Sequence, residues 1–397
     1  MEWRRLRYFL NPVTAFCLGH VLALLGVVLS SWLAEFDSYL GIDIQDLSHI
    51  YVIATFSFWL PWLVRRTTNK LPLISKSLKE LPFIVFLAKV GAVILIINIV
   101  LAIALLGRMP FIEMLLGNLV ITQHLESLKN LPFGLMALQT GLAMVLALHI
   151  ATFLRKRSEF NIGYLTWSIL FLAYGLAALW QGNRQLILFI LFVLCARFFD
   201  GSALSRRLML RRLRNLFIGI AVFISSFILI QTIRLQGQGA SSFEILGYLT
   251  WPALNMSRII EALPGGGGSF WPNFALTELV PHRLRSQDYE NIIMPMLFVP
   301  SSPSGYISYW YMDWGVAGVV IGTLLLSQIS RLLFLRRTMS EHNLRLYILV
   351  LWCCATASIY SHFISLNNFI FPAIILTFER FLGALFCLRV GVINRCI

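Results

Sequence analysis

Apolar runs of about 20 residues follow one another along most of this chain, and they leave few folds open to it. A helix rises about 1.5 Å per residue, so each run can cover roughly the 30 Å hydrocarbon core of a bilayer. In lipid every backbone N–H and C=O must be satisfied within the protein, which leaves helices and closed barrels. A membrane barrel alternates apolar and polar residues in segments of about ten. Nothing here alternates in that way, so the chain reads as an all-α polytopic membrane protein. Composition agrees: 58% of the 397 residues are hydrophobic and only 13% are charged, with mean hydropathy +0.78. A soluble core of this size needs far less apolar residue.

We expect about ten spanning helices: Val13–Ala34, His49–Val64, Pro82–Leu106, Leu131–Leu154, Ile162–Trp180, Leu186–Phe199, Leu216–Ile233, Tyr306–Leu335, Leu346–Ile364 and Phe369–Leu388. The second and sixth are short. The basic start Met1–Arg7 precedes a run too long for a signal-peptide core and without a small-residue cleavage site, so Val13–Ala34 reads as a retained first helix.

The formal charge of +14 would suggest a nucleic-acid partner in a soluble protein. Here placement matters more than the total, and no nucleic acid is implied. Lys and Arg collect in alternate loops, at Arg4–Arg7, Arg65–Lys79, Arg155–Arg157, Arg206–Arg214, Arg336–Arg345 and the C-terminal tail. The acids Glu35, Asp37, Asp43 and Asp46 crowd the first loop of the opposite sign. By the positive-inside rule both termini are cytoplasmic. Lys89, Arg197, Arg331 and Arg380 fall within helices, where long cations commonly snorkel to the inner interface. The six cysteines lie in apolar runs or the tail, with no C-x-x-C and no zinc spacing, so neither a disulfide framework nor a metal site is implied. No cofactor-binding or catalytic signature for phosphate loops, dinucleotides, zinc proteases or serine hydrolases occurs.

One long polar interruption remains, residues 234–305, on the outer side between helices 7 and 8. It is rich in Arg, Trp, Tyr, Pro and Gly. Pro252 can open a helix, with Met256, Ile259, Ile260 and Leu263 as its apolar stripe and Asn255, Arg258 and Glu261 as its polar one. A second short helix fits Pro272–Val280. Gly265–Gly268 between them reads as a flexible joint. The expectation is of short amphipathic helices lying on the outer membrane face.

Outer loops normally avoid Arg, yet Arg184, Arg234, Arg258, Arg283 and Arg285 lie there. Arg184 belongs to the tight turn Gln181-Gly182-Asn183-Arg184-Gln185, and Arg234 ends a helix. A guanidinium binds phosphate through two parallel hydrogen bonds, strongest in a low dielectric. These arginines therefore suit a lipid-linked pyrophosphate; the alternatives are ordinary anionic headgroups or pairing with Glu244, Glu261, Glu278, Asp288 and Glu290. His282 is a candidate general base, in competition with Glu278, Asp288 and Glu290 or with plain solvation. Tyr248, Trp251 and Trp271 are candidates for stacking on sugar rings, while the other aromatics suit an interfacial belt. Glu35 and Asp37 form an acidic pair of the kind found in glycosyltransferases that use a polyprenyl-phosphate sugar, although two acids make a weak metal site.

On these residues the chain resembles the oligosaccharide repeat-unit polymerases, the Wzy-type O-antigen polymerases of bacterial inner membranes. The resemblance is carried by Gly182-Asn183-Arg184, by Arg234 at the start of the large loop, by Tyr248, Pro252 and Asn255, and by Tyr306 to Gly318 with Tyr311, Asp313, Gly315 and Gly318. Some members space an Arg and a Gly by ten residues in two periplasmic loops, a spacing absent at Arg234 and Arg258.

The resemblance implies a GT-C-like fold and a bacterial inner-membrane location, with the large loop periplasmic. It implies transfer of a growing glycan from undecaprenyl pyrophosphate to an incoming lipid-linked repeat unit, without a cofactor. Arg184, Arg234 and Arg258 would hold the pyrophosphate; Tyr248, Trp251, Asn255 and Trp271 the glycan; His282 or Glu278 would take the proton. Partners would be the lipid-linked oligosaccharide, the bilayer, and a chain-length regulator and flippase of the same pathway. Three rivals stay open: an O-antigen ligase, a polyprenyl-phosphate-sugar glycosyltransferase using Glu35 and Asp37, and a flippase or transporter. The last would show charged or broken helices at mid-membrane.

Overall fold

The computed structural model describes residues 11–32, 44–63, 81–116, 131–132, 134–155, 162–180, 184–199, 214, 221, 225, 244–267, 305–337, 339–358 and 365–389. Among these residues there is no strand. The helices, in chain order, are α1 (Pro12–Trp32), α2 (Ile44–Leu63), α3 (Leu81–Leu106), α4 (Pro110–Leu115), α5 (Leu135–Arg155), α6 (Tyr164–Leu179), α7 (Arg184–Phe199), α8 (Glu244–Ala262), α9 (Tyr306–Arg336), α10 (Glu341–Ala355) and α11 (Phe371–Arg389), with a π-type turn at Leu366–Ile370 before α11.

Among the described residues four helical stretches are long and apolar enough to cross a membrane: Phe83–Leu106, Leu135–Leu154, Tyr306–Arg336 and Asn368–Leu385. Pro12–Val28, Tyr164–Leu179 and Gln185–Arg197 are shorter apolar helices. The multi-helix membrane architecture expected from the apolar runs is present in this coarser form. The expected span Leu216–Ile233 and the expected loop helix Pro272–Val280 lie outside the described residues, save for isolated positions 221 and 225.

The chain divides into two compact units. The first contains α3 to α7 and α11. Its centre is α5, buried along almost its whole length and packed against α3, α6, α7 and α11. The inward seam of α3 is Ala88, Ala92, Leu95, Ile99 and Ala102, repeating at alternating steps of three and four residues. Its other face carries Val93, Ile97, Val100 and Leu105 to the outside, with Lys89 exposed at the start of the same stripe. Gly141 of α5 lets α11 come close: a Cβ there would stand 3.1 Å from Phe371 Cβ. Eight residues further along each helix, His149 and Glu379 meet at 2.8 Å. Two contacts in the same register mean that α5 and α11 run in the same direction.

The second unit contains α1, α2, α8, α9, α10 and the π-type turn. Its core is aromatic, with Phe16 stacked on Phe58 at 4.2 Å and His20 edge-on to Tyr51 at 4.9 Å. Trp62 of α2 donates to Ser327 of α9 at 3.1 Å, and Ser327 in turn donates to the Phe58 carbonyl. Helix α10 stops at Ala355, well before the expected Ile364. The turn that ends it is used for tertiary bonds: Ala357 C=O accepts from Tyr306 N–H at 2.7 Å, and Ser358 Oγ donates to Gly19 C=O at 2.9 Å.

The largest departure from expectation is α9. Trp314 (φ −135°, ψ 22°) and Gly315 (φ 56°, ψ −138°) leave the helical region. Tyr306 Oη donates to the Gly322 carbonyl at 2.8 Å. Gly318 lies against the Trp310 carbonyl, and a Cβ on Gly322 would come within 2.5 Å of the Trp310 indole. In a straight helix residues 306 and 322 would be about 24 Å apart. The expected single span is therefore a helical hairpin, with residues 306–313 folded back along residues 316–336. The Gly318-x-x-x-Gly322 spacing puts two glycines on one face and lets the arms touch. Residues 306–313 are all buried, as backbone leaving a regular span must be in lipid. Residues 316–336 still supply about 31 Å of helix.

Candidate functional site

The beginning of the large loop is built onto this hairpin. Helix α8 starts at Glu244, so Pro252 sits inside it rather than at its first turn. Proline has no N–H to offer, which frees the Tyr248 carbonyl from its intrahelical bond. The expected stripe is seen: Met256 and Ile259 are buried, while Arg258 and Glu261 are exposed. However, α8 packs against α1, α2 and α9 rather than lying free on a membrane face, and Asn255 is fully buried with the apolar residues.

After α8 come the glycines, expected to be a loose joint. Gly265 to Gly267 are instead pinned to the hairpin turn. Gly267 N–H donates to Met312 C=O at 2.7 Å, and Gly265 N–H to Tyr311 Oη at 3.4 Å. Gly265 and Gly266 have φ of +89° and +87°, the left-handed region that favours glycine. A Cβ on Gly266 would strike Tyr311 C=O at 2.7 Å as well as the Gly315 amide. The short arm ends with carbonyls that no following helical turn can satisfy, and the glycine amide caps one of them. Gly268 lies outside the described residues.

Between Met312 and the break sits Asp313, fully buried. Other described acids of the same unit, Asp46, Glu261 and Glu341, reach the surface. Burying a carboxylate in a membrane protein is costly, and such residues usually serve a site.

Of the residues singled out from sequence, Trp251, Asn255 and Arg258 share α8. Trp251 is half-buried. Arg258 pairs with Glu261 one turn on, Nη1 to Oε2 at 2.9 Å, with both side chains largely exposed. Such a surface pair is weak, under about 1 kcal/mol, so an incoming phosphate could displace it. Tyr248 is also in α8, with only its backbone described. Arg184 opens α7 in the other unit, where the helix N-terminus adds its partial positive charge. Arg234, Trp271, Glu278, His282, Arg283 and Arg285 lie outside the described residues, as do Glu35 and Asp37.

The first unit holds a second polar group. His149 Nε2 stands 2.8 Å from Glu379 Oε1, with side chains 2% and 12% exposed. One turn on, Thr152 accepts from Arg197 Nη2 at 2.9 Å and donates to Leu148 C=O at 2.7 Å. Three spanning or near-spanning helices thus bring His149, Arg197 and Glu379 to one stretch of α5. The sequence pattern alone assigned no role to His149 or Glu379. The signal was there: an ionisable residue within each of two apolar runs. Asp313 was noticed only as part of a resemblance. Among the described residues no three His, Cys, Asp or Glu side chains gather as a metal site. No family model, no curated protein and no solved structure matches the chain.

Proposed function

We propose that this chain is a glycosyltransferase of the Wzy polymerase type, polymerising undecaprenyl-pyrophosphate-linked oligosaccharide repeats at the outer face of a bacterial inner membrane. The donor is the growing glycan on its lipid pyrophosphate, and the acceptor is a hydroxyl of the incoming lipid-linked repeat. The observation that supports this reading is the docking of α8 and Gly265–Gly267 on the hairpin turn. A loop that merely linked two spans would not need its first part bonded to the hairpin turn through left-handed glycines. An enzyme holding a large loop over a reaction centre does. Arg184 and Arg234, supported by Arg258, are the candidates for stabilising charge on the departing pyrophosphate; His282 and Glu278 are the sequence candidates for the proton. An oxocarbenium-like transition state follows by analogy with glycosidases.

Two specific observations favour a second reading, transport of a lipid-linked sugar: the His149–Glu379 pair within spanning stretches, and the break in α9. Glycan gels of a deletion strain separate the possibilities. The polymerase reading expects lipid A carrying a single repeat. Uncapped lipid A with lipid-linked polymer accumulating would instead point to a ligase. Uncapped lipid A with single lipid-linked repeats retained on the cytoplasmic side would point to the transporter.

A further inference from the structure

We propose that Glu261 is a built-in competitor for the pyrophosphate: its carboxylate holds the place on Arg258 that the lipid-linked headgroup takes, and exchange of the two seats the substrate on α8. The inference rests on the polymerase reading and adds Glu261 as a positioning residue. Three observations lead to it. Arg258 Nη1 donates to Glu261 Oε2 at 2.9 Å, and among the described residues the guanidinium makes this one hydrogen bond of the five it can donate. The pair is open, with side chains 43% and 64% exposed, so a ligand reaches it without any shift of the backbone. Trp251 stands seven residues before Arg258, about 10 Å along the same face of the helix, and is half-buried.

The chemistry is an exchange of anions with no covalent step. A carboxylate and a phosphate offer the same kind of paired acceptor oxygens to a guanidinium fork. A phosphate oxygen takes the Nη1 hydrogen bond and the unused donors of the fork close on its neighbour. Glu261 then turns to solvent by a change of rotamer alone. An exposed pair of this kind shifts an equilibrium by about fivefold at most, so the carboxylate yields to a more highly charged pyrophosphate. The platform beneath does not have to move: Met256 and Ile259 are buried, and α8 packs on α1, α2 and α9. An indole suited to a sugar ring and a guanidinium suited to its pyrophosphate thus lie along one fixed helix.

The competing role is that of an ordinary surface pair with no ligand. Wild type, Glu261→Gln, Arg258→Ala and the double variant are therefore purified in detergent and titrated with a synthetic undecaprenyl-pyrophosphate-linked repeat. Phosphatidylglycerol is titrated separately, and binding of each lipid is read by native mass spectrometry. Glu261→Gln should bind the repeat about three- to fivefold more tightly than wild type, and Arg258→Ala more weakly by a similar factor. The tightening should vanish when Glu261→Gln is added to Arg258→Ala. Thermal midpoints should agree across all four proteins, since both side chains are exposed. Wild-type affinity in Glu261→Gln overturns the proposal. The same tightening without Arg258 also overturns it, because removal of general charge repulsion then explains the gain. Tightening confined to phosphatidylglycerol assigns the pair to ordinary anionic headgroups and overturns the substrate assignment. A wild type that makes no polymer sinks the polymerase reading and this inference together, whereas an active wild type with an unresponsive Glu261→Gln sinks the inference alone.

Discussion

Tyr306 and Gly322 are sixteen residues apart in the chain and joined by a 2.8 Å hydrogen bond from the Tyr306 hydroxyl to the Gly322 carbonyl. That bond turns one apolar run into a hairpin. It also brings Trp310 flat against Gly322, leaving no room for even a methyl group: a Cβ would lie 2.5 Å from the ring.

Gly322→Ala should therefore destabilise the protein by about 1–3 kcal/mol, the usual cost of overpacking a tight contact. Thermal unfolding in detergent, followed by size-exclusion chromatography, checks it. Gly318→Ala should cost more, since its Cβ meets the Trp310 backbone carbonyl rather than a side chain that can swing aside. Unchanged midpoints for both would contradict the hairpin.

The glycine seat gives a separate expectation. Gly266→Ala places a Cβ against Tyr311 C=O at φ +87°, adding about 1–2 kcal/mol of backbone strain to the clash. We expect faster proteolytic cleavage after α8, with the rest of the protein intact. Equal cleavage of wild type and variant would mean that the glycines are not clasped.

For the buried pair, a double-mutant cycle on His149→Ala and Glu379→Gln should be non-additive, with a coupling of about 1 kcal/mol, as polar pairs between membrane helices give. Each single variant removes or weakens the same contact, so the double variant should lose less stability than the sum of the two single losses. Additive losses would show that the 2.8 Å contact carries no net energy.

Arg184→Ala and Arg234→Ala should each abolish long-chain glycan while protein level and membrane insertion stay normal. Glycan gels with an immunoblot read both quantities. Wild-type chain length in both variants would remove the pyrophosphate assignment. Arg258→Ala should have a milder effect, because its guanidinium is already engaged with Glu261 on an exposed helix face.

The helices were largely legible in the sequence because lipid imposes a single demand, about 20 apolar residues in a helix. Pro82–Leu106 and Leu186–Phe199 differ from α3 and α7 by one or two residues at a single end. The hairpin was not legible for the same reason. Residues 306–336 are apolar on average despite Asp313 and Arg331, and hydropathy measures length without seeing a chain that doubles back. Gly315, Gly318 and Gly322 were the local cue, but glycines are common in membrane helices and their meaning depends on Trp310 lying opposite. The glycine run after α8 was read by composition as a joint; what fixes it is the cap it gives to Met312, a tertiary bond that no local pattern announces. The amphipathic stripe of α8 was visible, yet Asn255 on its buried side was not, since polarity alone assigned it outward. His149 and Glu379 lie 230 residues apart, so their pairing belongs to the fold alone.

The most direct test is reconstitution of the purified protein in vesicles with a defined undecaprenyl-pyrophosphate-linked repeat as its sole glycan substrate. The account predicts a ladder of glycans growing by one repeat at a time, with one undecaprenyl pyrophosphate released for each bond formed. Movement of the lipid-linked repeat across the bilayer without any lengthening of the glycan would contradict it.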